Sequence, residues 1–166
     1  MKKTGHKTGF TIAELLIAIA IAAMLLVAVA VAFNASSVNY RQNEDIFRTI
    51  NTARQALMRI TSQLRTATAV DPNAPANECT LITANGDDIT YRYDGAQSAL
   101  YLITNDDLSD SDYLLCDNIT ALTCTKNLVV EDSQIKVKNV QISITVASGN
   151  ARRTVSAAAV IRRNLN

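Results

Sequence analysis

Residues 9–33 read GFTIAELLIAIAIAAMLLVAVAVAF. From Leu15 to Phe33, nineteen consecutive residues carry no polar side chain, glycine or proline. As an α-helix the run spans about 28 Å at 1.5 Å per residue, close to the roughly 30 Å hydrocarbon core of a bilayer. Lys2, Lys3, His6 and Lys7 precede it with no acid among them. The positive-inside rule therefore predicts a single pass, with this end cytoplasmic and the remainder exported. A cleaved secretory signal is the rival reading, with Ala28-Val29-Ala30 or Ala30-Val31-Ala32 as the small-residue site. Such signals use an apolar region of about 7–15 residues, shorter than this one, and gain nothing from a carboxylate such as Glu14 at its edge.

The run also distorts the composition. The chain has 166 residues, 48% hydrophobic, with a formal charge of +1. Without the run the hydrophobic share falls to about two-fifths, ordinary for a polar-surfaced domain. The length suits one modest domain, and the charge gives no overall bias toward nucleic acid. His6 is the only histidine and lies ahead of the run. The body therefore lacks histidine-based general bases, Ser-His-Asp or Cys-His nucleophile systems and His-ligated metals. No cofactor is expected, and the chain reads as non-catalytic.

An ionisable side chain at the edge of a spanning helix is costly unless it finds a partner, which makes Glu14 a functional residue by default. Gly9-Phe10-Thr11-Ile12-Ala13-Glu14 resembles the processing site of type IV prepilins and type II secretion pseudopilins. In that family a basic leader is cut after the glycine, the new amino-terminal Phe is N-methylated, and the fifth mature residue is Glu. The resemblance implies a leader over residues 1–9, cleavage after Gly9 and methylation of Phe10. It also implies that Glu14 pairs with the terminal amine of a neighbouring subunit, a pair that enforces register because an unpaired charge in low dielectric is costly. The implied partners are a prepilin peptidase, other pilin or pseudopilin subunits and the inner-membrane assembly platform. The implied destination is the inner membrane and then a pilus or pseudopilus. Many major pilins break this segment with a Pro and a Gly; here the corresponding Pro position is Val31 and there is no Gly. That departure favours a minor, tip-forming or initiating subunit.

Residues 10–33 thus read as the membrane and assembly helix, and residues 34–69 as its amphipathic continuation. Asn34-Ala35-Ser36-Ser37 is polar but holds no breaker. Ile46, Ile50, Ala53, Leu57, Ile60 and Leu64 then form an apolar stripe at alternating spacings of four and three. Arg41, Arg48, Arg54, Arg59 and Arg65 lie largely off it, and Glu44 to Arg48 is an i,i+4 pair. The stripe covers too few heptads for a coiled coil, so it is expected to lie on a sheet of the same chain. The spacing predicts a helix from Ile12 to about Thr68, roughly 85 Å long, ended by Asp71-Pro72-Asn73-Ala74-Pro75.

Residues 70–166 read as a β-rich domain. Ile89–Tyr93 and Ala99–Ile103 flank Asp94-Gly95-Ala96-Gln97 as a hairpin. Val140–Val146 and Thr154–Ile161 flank Ser148-Gly149-Asn150 as another, and Leu128–Val130 and Ile135–Val137 are shorter candidates. One long helix followed by antiparallel strands is the α+β class, and it is also the fold the resemblance implies. The Tyr91-Arg92-Tyr93-Asp94-Gly95 hairpin and the ending Ile161-Arg162-Arg163-Asn164 resemble minor pseudopilins of the J type and minor pilins of the W type.

Cys79, Cys116 and Cys124 would meet an oxidising compartment after export. Three pairings are open to a single bridge. Cys116–Cys124, eight residues apart around Asp117-Asn118, is the expected one, worth about 2–3 kcal/mol by the chain-entropy model, with Cys79 left as a buried thiol. No zinc pattern fits three cysteines without histidine. Asp106, Asp107, Asp110 and Asp112 concentrate negative charge, but Leu108 and Leu114 stand where an EF-hand needs oxygen ligands, so a solvated acidic loop is expected. Between Val70 and Gln134 there are twelve acids and two bases, Arg92 and Lys126, whereas Ile135–Asn166 holds six bases and no acid. That polarity suits side-by-side docking of subunits, or equally opposing charge on adjacent strands of one sheet. Arg152, Arg153, Arg162 and Arg163 lack the aromatic interleaving of a nucleic-acid surface. The second functional class open to the sequence is a signal-anchored exported binding or adhesion module that never polymerises.

Overall fold

A computed structural model of the chain describes residues 9–107, 109, 112–131, 133–149 and 151–161. Helix α1 runs from Ile12 to Thr66. By contacts the chain forms two compact units, one to Arg41 and one from Gln42 onward. In the first, every residue from Leu15 to Phe33 is exposed, and the segment is apolar and long enough to cross a membrane. The second unit holds the amphipathic part of α1 and, among the described residues, eight strands.

The amphipathic stripe is buried as its spacing requires. Ala53, Ile60 and Leu64 are fully buried, Ile46 and Leu57 nearly so, and Ile50 is half-buried. The five flanking arginines are exposed, and Arg48 reaches Glu44 at 3.2 Å. Thr49 and Thr61 also lie on the inner face, their hydroxyls returned to the backbone oxygens of Asp45 at 2.9 Å and Leu57 at 2.8 Å. The helix stops at Thr66, two residues short of the expected end. Thr68 instead donates its N–H to the Ile82 carbonyl at 2.9 Å, so the chain has already joined a sheet.

Strands β1 (Ala69–Val70), β2 (Glu78–Ile82), β3 (Asp88–Asp94), β4 (Ala99–Thr104) and β5 (Tyr113–Cys116) form one antiparallel sheet in sequence order. Strands β6 (Ile119–Glu131), β7 (Gln134–Ser148) and β8 (Ala151–Val160) form a second antiparallel sheet. Both expected hairpins are present, as β3–β4 and β7–β8. Gly149, at φ +55°, supplies the left-handed backbone of the second turn. The short candidates at 128–130 and 135–137 are the paired ends of β6 and β7. A register shift beside Asn127 and Leu128 places a bulge there. It changes which residues of β7 face inward, so that Val137 is buried and then Val140, Ile142, Ile144 and Val146.

The two sheets join through backbone. Cys124 N–H donates to Ala76 O, just ahead of β2, at 2.7 Å, and Ile119 N–H to Ser98 O, just ahead of β4, at 2.9 Å. The α1 stripe, Leu81, Tyr91 and Leu100 of the larger sheet, and Leu122, Ile142 and Ile144 of the smaller form one continuous core. Tyr91 is fully buried and satisfies its hydroxyl on Gln63 of α1. Burial pushes its phenol from an ordinary 10 up to about 12, against the pull of Arg59. Burial, aided by Asp117, pushes the Cys116 thiol from 9 up to about 11.

Two measurements check this packing. Ile60→Ala should cost about 2–5 kcal/mol, read from the urea midpoint of the detergent-solubilised chain, whereas exposed Met58→Ala should stay within about 0.5 kcal/mol. The raised Tyr91 and Cys116 values mean that the folded state holds these protons after the unfolded chain releases them. Stability contributed by the two groups is therefore complete below pH 9 and should decline as pH rises toward 11 and 12. Tyr91→Phe and Cys116→Ala should each flatten part of that decline in melting temperature.

Candidate functional site

The start of α1 is built by two side chains. Thr11 precedes the first helical residue, and its hydroxyl oxygen accepts the Glu14 N–H at 3.3 Å. The Glu14 carboxylate reaches back to accept the Thr11 N–H at 2.9 Å and the Thr11 hydroxyl at 2.9 Å. This is a reciprocal capping box, satisfying donors that a helix start otherwise leaves open. Its negative charge also lies at the favourable, positive end of the helix dipole. The Thr-x-x-Glu spacing is visible in the sequence and is the signal that a reading centred on Glu14 alone misses.

The cap fixes where regular structure begins. Gly9 and Phe10 lie outside it and are exposed, Phe10 at 87%. The Gly9–Phe10 bond therefore sits in non-helical backbone just ahead of the helix. A Cβ built on Gly9 would meet nothing within 4 Å. The chain's own packing gives no reason for glycine there, whereas close approach of a second protein's backbone or active site would. Lys2, Lys3, His6 and Lys7 lie outside the described residues.

Behind the cap, Leu15–Phe33 presents apolar side chains in every direction. So large an exposed apolar surface belongs in lipid or against other helices. Among the described residues, Glu14 is the one acid or base between Gly9 and Asn34.

The other expected sites fall elsewhere. Cys79 is on β2, Cys116 ends β5, and Cys124 is on β6. All three are buried free thiols, so the expected Cys116–Cys124 bridge is not formed in this structure. The two lie in different sheets. The Cys116 thiol turns to the Asp117 carbonyl at 3.3 Å. Sequence spacing carries no sign that Cys116 and Cys124 fall in different sheets.

In the acidic loop, Asp106 accepts the Asp88 N–H at 2.7 Å, and Asp107 accepts the Ser109 N–H at 2.9 Å. Those carboxylates hold loop backbone. Asp110 lies outside the described residues, and no group of three potential ligands that could hold a metal occurs among the described ones. Arg152 and Arg153 on β8 stand opposite Ala147 and Val146, not opposite acids. Glu78, Asp88 and Asp94 belong to the other sheet, and Glu78 meets its cross-strand neighbour Arg92 at 3.0 Å. Arg162 and Arg163 are outside the described residues. Arg59 lies over the Tyr113 ring at 5.7 Å, a contact between α1 and β5 that the sequence did not announce.

Residues 5–30 match the family model described as the prokaryotic N-terminal methylation motif. The match covers Gly9, Phe10, the capping box and most of the apolar run. It supports a type IV pilin-like subunit that is a substrate for a processing peptidase. The exposed apolar helix is consistent with a membrane anchor. Neither the curated proteins nor the solved structures compared with the chain gave a match.

Removal of the cap isolates its contribution. Thr11→Ala should destabilise the first turn by about 1 kcal/mol. In detergent, amide exchange at Glu14 and Leu15 should speed up by about fivefold, while amides in Thr49–Leu64 keep their protection.

Proposed function

We propose that this chain is a non-catalytic structural subunit, cut after Gly9, N-methylated at Phe10 and assembled into a type IV pilus or type II secretion pseudopilus. The observation that carries the reading is the methylation motif over residues 5–30, within which Gly9 and Phe10 lie ahead of the first helical residue, Ile12. A peptidase needs an exposed, non-helical bond, and the capping box leaves Gly9–Phe10 outside α1. Cleavage would free a cationic amine on Phe10 one helical turn from Glu14, the carboxylate through which subunits would register.

In this reading Leu15–Phe33 is first a membrane anchor, with the amino terminus cytoplasmic and the β-rich body exported. It then becomes the shared apolar core of the fibre. Partners are the prepilin peptidase, the inner-membrane assembly platform and other subunits. The placement of acids on the larger sheet and of Arg152 and Arg153 on β8 supports docking between subunits of opposite charge. A minor, tip-forming or initiating role is supported by the absence of Pro and Gly from the run and by an α1 without interruption from Ile12 to Thr66. The J-type or W-type assignment rests on the soft likeness of the Tyr91–Gly95 hairpin and the C-terminal strand.

Co-expression with a prepilin peptidase tests the reading by mass. The mature chain should begin at methylated Phe10. Gly9→Val should abolish that product without lowering stability, since the position has open space around it. An unchanged precursor mass, or a chain starting after Ala32, would overturn the proposal in favour of an exported module that does not polymerise.

A further inference from the structure

The two sheets present four margins, and they are not alike. β1 is only two residues long. β6 is engaged by the larger sheet, its Cys124 and Ile119 N–H groups bonding Ala76 O and Ser98 O. Among the described residues, β5 and β8 each end a sheet with a paired strand on one side only. Folded proteins blunt such margins with charge, proline, bulges or shortness. β8 uses none of these over Thr154–Val160, seven consecutive residues without charge, Gly or Pro, in unbroken register with β7. Ile161 N–H bonds Lys138 O at 3.1 Å, so the odd-numbered residues of β8 turn their backbone to β7. Thr154, Ser156, Ala158 and Val160 turn N–H and C=O to the free margin, and their side chains are exposed. We infer that β8 is an assembly strand, extended by β5 of a second copy of this chain, so that the three-stranded sheet of one copy continues into the five-stranded sheet of the next.

Charge selects the occupant. Arg152 and Arg153 open β8, and from Ile135 to Asn166 there are six bases and no acid. Pairing β8 with its own counterpart would set like charge beside like. β5 carries the opposite sign: Asp112 and Asp117 flank Tyr113–Cys116, and both are exposed. Whichever way β5 runs, one of its aspartates meets the arginine end of β8. Tyr113 and Leu114 are 60% and 50% exposed, apolar surface at a margin that a further strand would cover. Because the pairing joins unlike surfaces, each copy keeps a β8 or a β5 for the next, and the contact propagates head to tail. The inference names one contact of the proposed assembly and rests on that reading only for copies lying side by side; processing at Phe10 plays no part in it.

Full-length chain with a benzophenone amino acid in place of Tyr113 is purified in detergent, mixed with heavy-nitrogen-labelled chain and reconstituted into phosphatidylcholine vesicles. Illumination should join position 113 to the tryptic peptide Thr154–Arg162 of the other isotope, which identifies a second copy. Ala158→Pro removes an N–H from the free margin and none from the β7 ladder. It should abolish that crosslink while the melting temperature in detergent holds. Arg152→Glu with Arg153→Glu should lower the yield about fivefold, as should Asp112→Lys with Asp117→Lys, and all four together should restore it. Where Ala158→Pro fails to fold, the charge exchange decides alone. Crosslinks confined to one isotope, a yield indifferent to Ala158→Pro in the folded chain, or charge reversals that do not rescue each other overturn the inference. The mass of the peptidase-treated chain is independent of these variants, so strand pairing and pilin processing fail separately.

Discussion

Ile60 and Leu64 are sealed from solvent in a core to which α1 and both sheets contribute, and most of the second unit follows from that burial. A lone helix of this composition is held by what covers its apolar face rather than by propensity. The two sheets are likewise held together by backbone bonds at their margins and by the side chains they share with the helix. Ala53, Ala56, Leu57 and Ile60 all lie on the buried face, and they share one core with side chains of both sheets. Buried hydroxyls fit the same constraint: Thr61 returns its proton to its own helix, and Tyr91 finds Gln63.

The earlier part of the same helix answers to a different solvent. From Leu15 to Phe33 no face is polar, and every residue is exposed. Along α1 the apolar pattern narrows from a full cylinder to one stripe, and that change separates a segment suited to lipid from one suited to a protein core. Asn34 to Asp45 carries the chain across without a helix breaker, so the backbone stays regular while the environment of its side chains changes.

How much of this was legible depended on whether the determining interaction was local. The stripe at Ile46–Leu64 and the hairpins at 89–103 and 140–161 were readable because their periods follow directly from helix and strand geometry. The full length of β7 was not, because the bulge breaks strict alternation between Val137 and Val140 and makes one strand look like two. Strand β5 is only four residues long, and Tyr113 and Leu114 are exposed, so no alternating burial marks it. At the candidate site Gly9, Phe10 and Glu14 were legible by resemblance, and Thr11 was overlooked although its spacing to Glu14 is local. The placement of Cys116 and Cys124 in different sheets is beyond reach of their eight-residue spacing, because it depends on how the two sheets meet.

The capping box gives Glu14 a second meaning. In its own chain one carboxylate oxygen, Oε2, accepts both the N–H and the hydroxyl of Thr11. The second oxygen and its lone pairs remain open to a further donor. Under the proposed assembly an amine from a neighbour would therefore meet a carboxylate already held in place by its own helix cap, so that less side-chain freedom is left to lose on contact.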